Sequence, residues 1–181
     1  MNMNLMKNKM RRKKTLRQTK LNEFFNTVPS LTKSINELKI DFKSPEKNKP
    51  NIHTLRFDGA SKGNPGKAGA GAVLYLNNVE IWNGSKYIGD SFTCNYAEYC
   101  GLIIGLEEAL KKDIKNLYVE GDSKLVINQL DGKYKVKSNN LIDLYSKAKY
   151  LSNQFDTIRF KHIYRDKNAR ADELANLLIY K

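Results

Sequence analysis

Cysteine and histidine are scarce in this 181-residue chain, with two of each. Two cysteines cannot staple a small secreted scaffold, and with two histidines they leave no zinc cluster of the usual ligand spacing. A reducing, intracellular compartment is therefore expected. No apolar run reaches the roughly 18 residues a membrane helix needs, and the N-terminus lacks the apolar segment of a secretory leader. The mean hydropathy of -0.61 agrees with a chain that meets water and has no membrane role. Acidic residues are also in deficit, 19 against 32 Lys and Arg, for a formal net charge of +13. An anionic partner is the first question such a charge raises, although bulk charge alone does not name one.

The excess is unevenly spread. Residues 1–50 carry 13 basic and four acidic side chains, net +9, whereas residues 51–181 carry 19 and 15, net +4. All ten tyrosines and the single tryptophan lie beyond residue 50. The first fifty residues are rich in Asn, Lys and Ser without a sustained apolar stripe, which predicts a largely disordered basic extension. Residues 44–50, SPEKNKP, read as its final linker. Residues 51–181 read as one folded domain, expected to be monomeric.

Within that domain, HTLRFDGAS (53–61) reads as a strand with Asp58 inside it, followed by a Gly and Pro turn over 62–69. AGAVLYL (70–76) and VEIWNGSKYI (79–88) read as two further strands joined by a tight turn at Asn77 and Asn78. From Tyr96 to Lys112, Ala97, Leu102, Leu106, Ala109 and Leu110 recur at helical spacing. A buried strand over 116–122, helices over 123–130 and 139–153, a strand over 157–163 and a closing helix over 169–180 complete the order βββαβααβα. A hairpin at the start and helical crossovers later predict an α/β fold, a mixed sheet flanked by helices.

Asp58 and Asp122 sit in or at the end of otherwise apolar strands, where a lone carboxylate is costly unless it is hydrogen-bonded or bound to a cation. Either could accept backbone N–H groups at a turn, and Asp122 could cap the helix that follows. Glu98 and Asp172 begin or line helices, where acids are ordinary. As a set the four are more specific. Strand and helix-start carboxylates can converge on one edge of the sheet, and hard divalent ions take such oxygen ligands. Two ions about 4 Å apart activate an attacking water and stabilise the leaving oxygen in phosphoryl transfer.

Four segments together, FDGASKGNPG (57–66), TCNYAEYCGLIIGLEEAL (93–110), VEGDSKLVINQL (119–130) and HIYRDKNARADELAN (162–176), resemble type 1 ribonuclease H. The likeness extends over the domain in order and spacing. The short link between residues 130 and 139 and the missing histidine loop before Asp172 resemble the compact archaeal and plant-like branch. The resemblance implies a five-stranded sheet of order 3-2-1-4-5, two Mg²⁺ (or Mn²⁺) ions on Asp58, Glu98, Asp122 and Asp172, with Asp58 bridging both, and hydrolysis of the RNA strand of an RNA–DNA hybrid to 5′-phosphate and 3′-hydroxyl ends. It also implies substrate contacts. Gly59, Ala60, Ser61, Gly63 and Asn64 would follow the RNA minor groove, where a 2′-OH offers both donor and acceptor, or simply form a tight hairpin. Asn95 would contact substrate or cap its helix, and Ser123 and Arg165 would meet phosphate. Asn168 would orient the last carboxylate. His162 reads as a half-buried strand residue or a proton shuttle. A noncatalytic hybrid-binding protein and a related DNA nuclease are the alternatives.

The extension adds two signals. RRKK (11–14) suits nuclear targeting, nonspecific hybrid affinity or plain solvation. QTKLNEFF (18–25) resembles the motif that binds the ring-shaped replication sliding clamp, with Gln18, Leu21, Phe24 and Phe25 as its contacts on one short helical turn. A packed amphipathic helix and an organelle presequence compete with that reading. Nucleus, nucleoid-bearing cytoplasm and organelle all remain compatible compartments.

Overall fold

The computed structural model describes residues 51–180; the expectations placed on residues 1–50, the clamp-motif residues Gln18, Leu21, Phe24 and Phe25 among them, lie outside the described residues. Five strands are described: β1 (His53–Gly63), β2 (Gly66–Leu76), β3 (Val79–Phe92), β4 (Asn116–Gly121) and β5 (Thr157–His162). The described helices are α1 (Cys94–Lys111), α2 (Lys124–Leu130), α3 (Asn139–Ser152) and α4 (Ala169–Asn176), with a 3-10 turn over Arg165–Lys167. None of them is long and apolar enough to cross a membrane.

The sheet has the order β3-β2-β1-β4-β5, as expected. β1, β2 and β3 pair antiparallel, while β4 joins β1 and β5 joins β4 in parallel. Alternation decides which face each strand buries. Leu55 and Phe57 of β1, Leu74 of β2, and Leu117 and Val119 of β4 point to one face, where Leu102 and Leu106 of α1, Val126 and Leu130 of α2, and Leu141 and Leu151 of α3 close the core. α4 covers part of the other face, setting Ala171 and Leu174 on Val73.

Several boundaries depart from the sequence reading. The first hairpin is longer and its turn shorter, because Lys62 and Gly63 still pair with Lys67 and Gly66, leaving only Asn64 and Pro65 between the strands. β3 continues to Phe92 through bulged pairing with β2. α1 begins at Cys94, two residues early, because Thr93 is its cap and accepts a hydrogen bond from the Tyr96 N–H at 3.3 Å. The closing helix stops at Asn176 instead of 180, and the chain bends so that Ile179 buries its side chain close to Gly69 of β2.

Two glycines set how near α1 comes to β1. A Cβ at Gly59 would stand 2.0 Å from the Glu98 nitrogen, and one at Gly101 would stand 2.5 Å from the Asp58 carbonyl oxygen. Only bare backbone permits this contact. It brings the first turns of the helix against the strand that carries Asp58.

Candidate active site

That approach places Glu98, in α1, beside Asp58, in β1, and the end of β4 brings Asp122 to the same point. One carboxylate oxygen from each of the three lies within 4.8 Å of the others. Asp58 is 5% exposed and Glu98 9%. Burial first, and then the charges of Asp122 and Asp172, push the Asp58 carboxyl up to about 7. Burial, followed by the charges of Asp58 and Asp122, holds Glu98 well above the usual carboxylate range. One Glu98 oxygen, Oε2, is buried with no hydrogen-bond donor. Crowded acids with an unpartnered inward oxygen and few donors form an oxygen-rich ligand set, which fits a hard divalent cation.

The fourth carboxylate is at the rim. Asp172, half-buried on α4, accepts a 2.6 Å hydrogen bond from the Arg165 guanidinium. It falls outside the three-carboxylate group, yet its charge reaches Asp58. Arg165, expected at a phosphate, has a side chain 77% exposed and is held by that ion pair.

Four side chains stand otherwise than expected. Asn168 is 1% exposed, so it cannot touch a substrate, and the carboxylate it orients is Asp122, not Asp172. Its Nδ2 donates to Asp122 Oδ1 at 2.7 Å and to the Phe57 carbonyl at 2.9 Å, tying α4 to β1 and β4. Asn95 does not cap α1, since Thr93 does; it lies exposed in the first turn. His162 is exposed, not half-buried, because it is the last residue of β5, and its Nε2 is 3.2 Å from the Asp122 carbonyl oxygen. Nor does Asp122 cap α2: the cap position is Ser123, whose hydroxyl makes no capping bond.

The remaining expected contacts follow β1 and its turn. Gly59 is buried against α1, and Ala60 is half-buried beside it. The Ser61 hydroxyl faces two carbonyls, those of Gly63 and, at 2.8 Å, Phe92. Gly63 is exposed at the turn, and Asn64 Oδ1 accepts from the Cys94 N–H at 3.1 Å, fastening the turn to α1. Asn64, Thr93 and Asn95 then form one wall of an open cavity of about 390 Å³, with Gln129, Lys135, Lys137 and Asn140 opposite. Thr93, Gln129 and the two lysines are not among the residues expected from sequence. The alternating lysines of KYKVK were a visible signal, but Gln129 was not. It is buried, accepts from the Tyr99 hydroxyl at 2.8 Å and donates to the Lys135 carbonyl at 3.5 Å, holding the loop in place.

Residues 56–178 match the family described as reverse transcriptase-like. Over 137 aligned residues the chain is 33% identical to the ribonuclease H of Pseudomonas savastanoi pv. phaseolicola and covers 89% of it. This chain belongs to the ribonuclease H-like family. Other ribonuclease H relatives support the placement. The bifunctional protein Rv2228c of Mycobacterium tuberculosis is 43% identical over 67% of this chain, and ribonuclease HI of Halobacterium salinarum is 40% identical over 66%. The chain spans only 34% and 60% of the length of those two relatives. Among solved structures, the N-terminal ribonuclease H domain of Rv2228c matches with a TM-score of 0.69 at 39% identity, covering 72% of this chain and 95% of that one. LC11 ribonuclease H1, solved in complex with an RNA/DNA hybrid, matches with a TM-score of 0.66 at 36% identity, covering 71% and 96%. The five-stranded order and its flanking helices are those of the ribonuclease H fold.

Proposed function

We propose that this chain hydrolyses the RNA strand of RNA–DNA hybrids as an endonuclease, leaving 5′-phosphate and 3′-hydroxyl ends. The observation that carries the reading is the convergence of Asp58, Glu98 and Asp122 with an unpartnered Glu98 oxygen, in a chain of the ribonuclease H-like family. Asp58, Glu98 and Asp122, joined by Asp172, would hold two divalent cations, Mg²⁺ or Mn²⁺. Bound there, the cations supply an acidified water for attack on phosphorus and positive charge for the leaving oxygen.

The chain's own residues do the rest. Asn168 holds Asp122 in place, and the Gly59–Glu98 backbone contact fixes the distance between strand and helix. The run Gly59, Ala60, Ser61, Gly63 and Asn64 follows the sugar edge of the RNA, while Asn95, Ser123, Lys135 and Lys137 offer donors to phosphate oxygens. Arg165, paired with Asp172 at the rim, screens its charge from an approaching phosphate.

A labelled RNA–DNA hybrid, assayed beside double-stranded DNA, double-stranded RNA and a duplex with one ribonucleotide, tests this. Magnesium-dependent cutting confined to the hybrid and abolished by Asp58→Asn is expected. Equal cleavage of DNA would reject the substrate class, and binding without cleavage would favour a noncatalytic hybrid-binding role.

A replication role is the finer reading, in which Gln18, Leu21, Phe24 and Phe25 tether the enzyme to a sliding clamp where primer hybrids arise. A peptide of residues 11–30 is then expected to bind a clamp and to lose binding on F24A/F25A. Unchanged affinity would sink the tether.

A further inference from the structure

α4 covers only part of the outer face of the sheet, the face turned away from the main core. Beside it, the strand register arranges outward side chains in two rows. In the first, Thr54 of β1 lies between Tyr75 of β2 and Tyr118 of β4, and Arg159 of β5 continues the row. In the second, Arg56 of β1 is followed by Glu120 of β4 and Lys161 of β5.

Rings and guanidinium groups meet within and between these rows. The Arg56 guanidinium stands 5.3 Å from the centre of the Tyr75 ring, and the Arg159 guanidinium stands 6.0 Å from that of Tyr118. Tyr118 is 43% exposed, and Arg159 and Lys161 are exposed. Arg56 is also pinned at 3.0 Å to Glu120, so its plane is held between a ring and a carboxylate. Two strand spacings, about 9.6 Å, separate the tyrosines, and the small Thr54 between them leaves a depression. A cavity of about 110 Å³ opens there, lined by Thr54, Arg56, Tyr75, Asn78 and Glu120. Drug-sized ligands occupy roughly 300 Å³ or more, so this one suits a single planar ring.

The lining offers an aromatic wall together with donors and acceptors from an amide, a hydroxyl, a guanidinium and a carboxylate. Unpaired nucleobases are read by that combination, through stacking and hydrogen bonds at their edges. The surrounding charge complements a polyanion, with Arg56, Arg159 and Lys161 against Glu120, while Glu80, the register partner of Tyr75, is held by Arg170. A paired base inside a duplex has its Watson–Crick edge occupied and both faces stacked, and cannot enter.

We propose that this face is a second nucleic-acid site, which captures an unpaired nucleotide of single-stranded RNA or DNA. It lies about 13 Å along β1 from Asp58, four residues at strand rise, and does not depend on cleavage at the carboxylates.

The test is fluorescence anisotropy of the full chain, in EDTA, with a labelled single-stranded oligoribonucleotide, the matching oligodeoxyribonucleotide and a short blunt hybrid. Y118A/R159A is expected to bind one or both single strands about tenfold more weakly, the size of one lost base stack, while its affinity for the blunt hybrid and its hybrid cleavage in Mg²⁺ stay within twofold. The two single-strand arms report which sugar is preferred. Arg159→Glu, an exposed single change that leaves packing alone, is expected to reproduce the loss and guards against misfolding of the double variant. The basic extension is present in every arm and cancels from the comparison. Thr54→Phe, which fills the cavity, is expected to give the same loss. Single-strand affinity unchanged in all three variants overturns the proposal, and so does a loss equally large on the blunt hybrid.

Discussion

Asn168 carries more of the site than its chemistry alone suggests. Its amide nitrogen bridges Asp122 Oδ1 and the Phe57 carbonyl, while its own Oδ1 is buried without a donor. Removing the amide takes a donor from the Phe57 carbonyl and frees Asp122 to turn. Asn168→Ala is expected to cost about 1–3 kcal/mol in stability and at least tenfold in hybrid cleavage, read by thermal unfolding and initial rates. Asn168→Asp keeps the shape but sets a further carboxylate against Asp122, so a larger loss of activity is expected. Wild-type rates in both variants would remove Asn168 from the site. Chain proximity favours Asp172, four positions away, whereas Asp122 becomes a neighbour only when α4 packs across β2 and β1 and sets its N-terminal end over the Phe57 carbonyl.

At the scale of elements, the contact between β1 and α1 sets the geometry of Asp58 against Glu98. A methyl at position 59 would overlap the backbone at Glu98 and Ala97, which has no flexible end to yield. Gly59→Ala is expected to push α1 outward, destabilise by roughly 1–3 kcal/mol and reduce activity by more than that stability change alone explains. Gly132→Ala is the comparison. Its φ of +78° strains an alanine, but nothing lies within 4 Å, so a loss of about 1 kcal/mol with normal activity is expected. Equal activity in the two variants, measured well below their unfolding temperatures, would show that the approach is not tuned. Element types were legible from period-2 and period-3.6 patterns such as Leu55/Phe57 and Leu102/Leu106. Ends were less so, because Thr93 against Asn95 as cap, and the bend that buries Ile179, depend on partners elsewhere in the fold.

For the whole molecule, the crowded carboxylates link stability to pH and to cations. Asp58 has an ordinary value of 3.8 when the chain is unfolded and about 7 when folded, so between those values the folded state binds more protons. Stability of the metal-free chain therefore falls as pH rises from about 4 through 7. The melting temperature in EDTA is expected to drop by several degrees over that range, to recover on adding Mg²⁺ or Mn²⁺ at pH 7.5, and to lose much of its pH slope in Asp58→Asn. A slope of the opposite sign, or no response to either cation, would contradict the assigned ligand set. Charge takes its meaning at this scale too: four of the fifteen acids of residues 51–181, Asp58, Glu98, Asp122 and Asp172, come to one cleft, while lysines line the cavity beside it and arginines stand on the outer sheet face. What the sequence by itself determined was the alternation that builds the sheet, the helical stripes that cover it, and the order of four carboxylates along the chain, because these are local periodicities and residue types. Tertiary structure alone decided that three of those acids meet within 4.8 Å while Asp172 pairs with Arg165, that Asn168 serves Asp122, and that two tyrosines share a row with arginine on the open face. Those facts come from strand register and helix docking, which bring together residues as far apart as Phe57 and Asn168 and leave no trace in local spacing.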